Sequence, residues 1–278
     1  MPAAVPAQAA CPDLVTVARF AHALLERRPV PAYPAPLSLA DAACAQQLLI
    51  RTLSQPYGDP VGYKVALADA ASQRRYGIPH PLRGTIFHGT VRATGTPDRP
   101  AEIPAGFGVA PAMQSGLLVR VASENINAAG SDHVAILRTI DLVMPFIELP
   151  DLAAPADRLD GPALVATNLG TRLGVLGEAV VARATGDFAR RLASMTVTLS
   201  ADGAELARAT GATLLGHPLD ALAWVIEDLR REGRELRVGE YVLLGALSPA
   251  LPLRQGATVT ATIEGLLDRP VAAAVRTP

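Results

Sequence analysis

The stretch Val61-Gly62-Tyr63-Lys64-Val65-Ala66-Leu67 alternates large and small side chains with the period of a β-strand. Val61, Tyr63, Val65 and Leu67 share one face, and Gly62, Lys64 and Ala66 share the other. A lysine therefore stands between two small residues, with room beside it for a ligand. It is the only lysine in the chain, the other 24 of the 25 basic residues being arginine. Richness in Ala, Arg, Gly and Pro points to GC-rich coding and explains the arginines, but not the exception. Arginine is effectively never deprotonated, whereas a desolvated lysine can be tuned towards neutrality and act as base, acid or nucleophile. Two readings stand for Lys64: a reactive amine, or an ordinary surface residue.

On the N-terminal side of this strand, residues 13–28 carry Leu14, Val17, Ala18, Ala21, Leu24 and Leu25 at helical spacing. Pro29, Pro31, Pro34 and Pro36 force an extended connector, and Ser38 caps a second helix with Asp41 in its first turn. Residues 13–58 thus read as an N-terminal helical segment, too small to be a domain alone. Residues 1–12 read as a flexible tail, lacking the charge and the leucine-rich stretch of a secretory signal.

On the other side, residues 59–278 read as one structural unit made mostly of strands. Strands are expected at 83–87, 117–121 and 142–149, a loop over 89–104, a helix from Asp132 through Thr139, and a short helix or turn over 160–166. A hairpin turns at Ala201-Asp202-Gly203 between 195–199 and 205–209. Pro218 opens a helix with a buried stripe of Leu219, Leu222, Ala223, Ile226 and Leu229, and Gly233 stops it. Strands at 241–244, 258–263 and 271–275 finish the chain. This order predicts an α+β fold around a curved mixed sheet, not a βαβ array.

Composition removes several classes of function. Lys+Arg 25 against Asp+Glu 26 leaves a net charge of −1, without the basic footprint of a nucleic-acid binder. No apolar run approaches the roughly 18 residues of a membrane helix. Cys11 and Cys44 are too few for a disulfide framework or a structural zinc site, so a globular, cytoplasmic protein is expected. No Walker, dinucleotide or GxSxG motif is present, and the five histidines show no ligand spacing. His217, between Gly216 and Pro218, reads as a structural residue that helps cap the helix after it. Glu148 lies on an apolar strand, on the face of Met144 and Phe146. Its charge needs a partner, a metal or a proton, unless the strand reaches water there.

Gly62-Tyr63-Lys64-Val65-Ala66-Leu67, Gly84-Thr85-Ile86-Phe87, Leu215-Gly216-His217-Pro218-Leu219, Gly239-Glu240-Tyr241-Val242-Leu243-Leu244-Gly245-Ala246 and Ile263-Glu264-Gly265-Leu266 carry a resemblance. From about residue 13 onward the chain resembles the 2-keto-4-pentenoate hydratase and 4-oxalocrotonate decarboxylase family, within the fumarylacetoacetate hydrolase superfamily. The resemblance implies a mixed β-roll with packed helices, usually a homo-oligomer, acting on small 2-oxo or 2-hydroxydienoic acids with Mg²⁺ or Mn²⁺. It implies a catalytic role for Lys64 and a metal-ligand position at Glu148. The family's other two acidic ligands, an E-x-E pair, align with Gln114-Ser115-Gly116. The aspartate before the G-T-x-F motif is replaced by Leu82, and the family's N-A-S-S-G-like loop reads Asn168-Leu169-Gly170-Thr171-Arg172.

One carboxylate, one amide and a glycine suit a hard divalent ion poorly. The expectation is therefore a lyase- or tautomerase-type enzyme without a metal, with Lys64 and Glu148 catalytic. Arg83, Gln114, Asn168 and Arg172 would bind the substrate, Gln114 orienting it and the two arginines holding its carboxylate or developing enolate in place of the ion's charge. Two alternatives stay open: Mg²⁺ or Mn²⁺ held through Glu148, waters and the substrate, and a non-catalytic subunit of a hydratase/decarboxylase-type complex.

Overall fold

The computed structural model describes residues 11–31, 33, 36–92, 94–153 and 159–278. Most of the expected tail, and Pro34 of the connector, lie outside them. The two N-terminal helices form where their caps place them. The Asp13 side chain accepts from Thr16 N at the start of α1 (Leu14–Leu25), and Ser38 and Asp41 make a reciprocal capping box on α2 (Leu39–Tyr57). Val17, Phe20 and Leu24 pack with Ala42, Ala45 and Leu49 in a cluster that also takes in Leu82, Phe87, Leu164 and Leu169, so the helical segment is welded to the body of the fold.

Cys11 and Cys44 form a disulfide across 33 residues, a link the cysteine count did not reveal. Closing a loop of that length removes about 3–4 kcal/mol of unfolded-chain entropy. Cys11 is thus pinned to α2 rather than part of a loose tail. Disulfides are rare in a reducing cytoplasm, so the link pulls against the cytoplasmic expectation. Among the described residues no helix is long and apolar enough to cross a membrane.

The chain then runs β1 (Pro60–Ala66), α3 (Ala70–Tyr76), β2 (Leu82–Phe87), β3 (Val91–Arg92), β4 (Ala101–Glu102), β5 (Ala112–Val121), α4 (His133–Leu137), β6 (Ile140–Leu149) and α5 (Gly161–Ala166). It continues with β7 (Leu173–Leu176), β8 (Val180–Val181), α6 (Gly186–Ser194), β9 (Thr196–Ala201), β10 (Ala204–Thr210), α7 (Pro218–Arg231), β11 (Tyr241–Ala246), β12 (Leu251–Pro252), β13 (Thr258–Glu264) and β14 (Val271–Arg276). One mixed sheet has the order β2-β1-β11-β5-β6-β7-β3, with β12 beside β5 and β8 beside β6; a second has the order β10-β9-β13-β14-β4. This is the expected α+β roll.

Three packing layers arise from strand alternation. Tyr63 and Val65 face a core shared with Leu219, Leu222, Val225 and Leu229 of α7. Ile147 and Leu149 face the second sheet, against Leu199, Val259, Ala261 and Val275. The remaining face of the first sheet curls around Ile86, Leu118, Met144, Phe146 and Leu243. His217 caps α7 as expected: its Nδ1 accepts from Leu219 N at 3.0 Å, and its Nε2 lies 2.9 Å from Ala189 O.

Candidate active site

On that curled face one cross-strand register brings the chemistry together. Lys64 lies opposite Gly84 on β2 and beside Leu243 on β11, and Gln114 on β5 lies opposite Glu148 on β6. Period-two alternation gives Glu148 the same face as Met144 and Phe146 while Ile147 and Leu149 turn away. The curl then closes the distance between strands that do not neighbour one another. Lys64 Nζ donates to Glu148 Oε1 and, at 3.0 Å, to the Leu169 carbonyl. The two side chains are 5% and 6% exposed, so this is a buried ion pair and not a surface one.

Two glycines make room for the lysine. A Cβ on Gly62 would stand 1.9 Å from Tyr241 O, so only glycine lets β1 lie this close to β11. A Cβ on Gly84 would press on Lys64 Cγ at 3.0 Å and on Thr171 Oγ1 at 3.2 Å. The carbonyl that receives the ammonium is aimed by an unusual loop. Asn168, Leu169 and Gly170 have φ values of 52°, 57° and 63°, all left-handed. Left-handed backbone costs a leucine about 1–2 kcal/mol and persists only where its surroundings hold it. Asn168 does the holding: its Oδ1 accepts from Thr85 N at 2.8 Å and its Nδ2 donates to Thr85 O at 2.9 Å.

The pair opens onto a cavity of about 450 Å³ whose polar wall includes Gln114, Arg75 and Ser248 and whose apolar wall includes Leu152, Leu164 and Leu247. Gln114 Nε2 donates to the Ser248 carbonyl at 3.4 Å, and Gln114 shares the cavity wall with Glu148, its register partner. Arg75 is exposed, stacks 5.4 Å from the Tyr76 ring centroid, and shares this wall with Lys64. Arg75, Ser248 and the rest of α3 were missed from the sequence. The helix has only seven residues and buries none of them, so it shows no apolar stripe. Its Asp69 cap and its Gly77 stop were the legible signals.

Three expected substrate-binding residues are placed elsewhere. Arg83 pairs across the ladder with Val65, not with Lys64, so alternation sends it to the opposite face. There Nε meets Asp228 Oδ2 and Nη2 meets Glu232 Oε1, each at 2.6 Å, below α7. Burial alone would lower the Arg83 pKa, but the two carboxylates outweigh it and raise it. Asn168 is 1% exposed and spends its amide on Thr85, so it positions the Leu169 carbonyl and lines no part of the cavity. Arg172 faces a different cavity, stacked 5.0 Å from the Tyr57 ring centroid.

The donors around Glu148 are one amide and one ammonium, and among the described residues no three of His, Cys, Asp and Glu converge as a metal site. At position 116 the space for a side chain is also taken. A Cβ there would lie 2.7 Å from Leu243 Cδ1 and 3.0 Å from Gly245 O.

No protein-family model matches the chain. A 2-keto-4-pentenoate hydratase of Paraburkholderia phymatum is 30% identical over 206 residues, covering 74% of this chain and 75% of the relative. One of Burkholderia vietnamiensis is 29% identical over 228 residues, covering 82% and 83%. Among solved structures, a 4-oxalocrotonate decarboxylase from Pseudomonas putida G7, complexed with magnesium and adipate, superposes with a TM-score of 0.80 at 20% identity over 95% of this chain and 97% of its own.

Proposed function

Because the chain belongs to the 2-keto-4-pentenoate hydratase family, we propose that it is a lyase- or tautomerase-type enzyme whose reaction runs in the Lys64 cavity without a divalent ion. The substrate class is a small 2-oxo or 2-hydroxydienoic acid. The observation that carries the metal-free reading is the ion pair itself. Glu148, the carboxylate at the position where the resemblance implies a metal ligand, is already paired with a cation, the Lys64 ammonium, which is covalently part of the chain. Gln114 and Gly116 supply too little charge for a hard Mg²⁺ or Mn²⁺ to compete.

In this reading Lys64 is the group that moves a proton to or from the substrate carbon or enol oxygen. Glu148 holds the amine in place and takes up the charge change, and the Leu169 carbonyl fixes the amine's direction. Gln114 orients the substrate. Arg75, the other cation on the cavity wall, receives the substrate carboxylate in place of the role expected for Arg83 and Arg172. A homo-oligomer belongs to the same proposal and is read by light scattering.

Steady-state turnover of 2-hydroxydienoates tests it. The wild-type chain should turn over equally with chelator and with added Mg²⁺, and Lys64→Arg should fall to background. Loss of activity with chelator, or stoichiometric Mg²⁺ in the purified protein, ends the metal-free reading. Background rates in both chains would overturn the enzyme reading.

A further inference from the structure

A second cavity, about 1110 Å³, is lined by Arg27, Tyr57, Arg99, Glu102, Phe107 and Arg172. It shares no lining residue with the cavity of Lys64. Two of its cations converge on one loop: Arg27 Nη1 donates to Gly106 O at 3.3 Å, and Arg172 Nη2 donates to Phe107 O at 3.4 Å. Holding neighbouring carbonyls of one loop places the two guanidinium groups near enough for Arg27 to act electrostatically on Arg172. Neither makes an ion pair among the described residues, and Glu102, the carboxylate on the cavity wall, makes none either.

Arg83 is also largely buried, but it has two carboxylates. Arg172 is half-buried and has an aromatic ring, one carbonyl and a like charge. Its Nε is buried with no hydrogen-bond partner, as is the Oη of Tyr57 beneath it. Burial first, and Arg27 second, hold the Arg172 pKa below the usual arginine value, which marks a cation short of countercharge.

We infer that this second cavity binds a small doubly charged oxyanion between Arg27 and Arg172, with Arg99 at its edge. Paired guanidinium groups match the planar, bidentate geometry of carboxylate and phosphate oxygens. Tyr57, Phe107 and Pro56 give such a ligand a wall for a short carbon skeleton. A phosphate and a dicarboxylate share this chemistry. Neither arginine lines the cavity of Lys64, so the inference stands whether or not that cavity is catalytic.

Isothermal titration of the whole chain with inorganic phosphate in one arm and succinate in the other tests it. Binding of one equivalent of at least one probe is expected, weakened tenfold or more by Arg27→Gln and by Arg172→Gln. The better probe identifies the source of the anion. Arg27 is exposed, so its variant keeps the fold, as circular dichroism will verify, even where Arg172→Gln does not. No binding of either probe at millimolar concentration overturns the inference. So does an affinity unchanged by Arg27→Gln, because Arg27 lines this cavity and not the other.

Discussion

Removing one member of the Lys64 and Glu148 pair should damage the protein more than removing both. With side chains only 5% and 6% exposed, each charge depends chiefly on the other. Glu148→Gln leaves the ammonium with the Leu169 carbonyl, and Lys64→Met takes away the cation paired with the carboxylate. A buried charge that loses its partner costs about 3–5 kcal/mol. Unfolding entropy near 2.1 cal/mol/K per residue gives a chain of this length about 0.6 kcal/mol per degree. Each single variant should therefore melt about 5–8 °C below wild type. In Lys64→Met/Glu148→Gln no charge is left stranded, and the loss should shrink to about 1–2 kcal/mol, since replacing a whole buried pair is often near neutral. Thermal unfolding followed by circular dichroism at pH 7 reads all four chains. A double variant as unstable as the sum of the singles would mean that the two groups are not coupled. The reasoning about a built-in counter-ion would then fail.

Two further outcomes concern side chains outside the cavity. Arg83→Met takes one of two arginine partners from Asp228, which keeps Arg231, and from Glu232, which keeps Arg234. It should lower stability by only about 1 kcal/mol, yet leave KM for any carboxylate substrate unchanged; a raised KM would return Arg83 to the binding site. His217 is held below the ordinary histidine pKa chiefly by burial, with His133 adding to it against the Ala189 carbonyl and Asp220. The unfolded chain therefore takes up this proton first as pH falls. Stability should decline below about pH 6.5 and level off under the folded value, and His217→Gln should flatten that part of a denaturant-midpoint profile measured from pH 5 to 8.

The roll was legible because its strands advertise themselves: alternation at 61–67, the turn at Ala201-Asp202-Gly203, and the capped helices around them. Where chemistry replaced apolar residues, the pattern went silent. The third of the long strands begins at Ala112, five residues ahead of its apolar run, because Gln114-Ser115-Gly116 offers no hydrophobic signal. Lys64 and Glu148 could be named from the sequence, one as the sole lysine and the other as a lone carboxylate on an apolar strand. Their direct contact could not, because it depends on how far the sheet curls. Register sets Arg83 on the face of Val65, since a hairpin partner must share the face of the residue opposite it. Arg172 was assigned to the cavity of Lys64 and lines the other one, since a loop with three left-handed residues has no period to extrapolate.

β1 is flanked by β2, its neighbour in sequence, and by β11, which is made near the far end of the chain. A growing polypeptide can zip the first of these edges early but must leave the second open until almost everything else has been synthesised. The amine would then wait, on a half-finished sheet, for its final orientation. Premature termination anywhere before Tyr241 would deprive the protein of that edge and leave an unpaired, aggregation-prone strand exposed. Translation thus sets the order in which competence is acquired, and reactivity comes last.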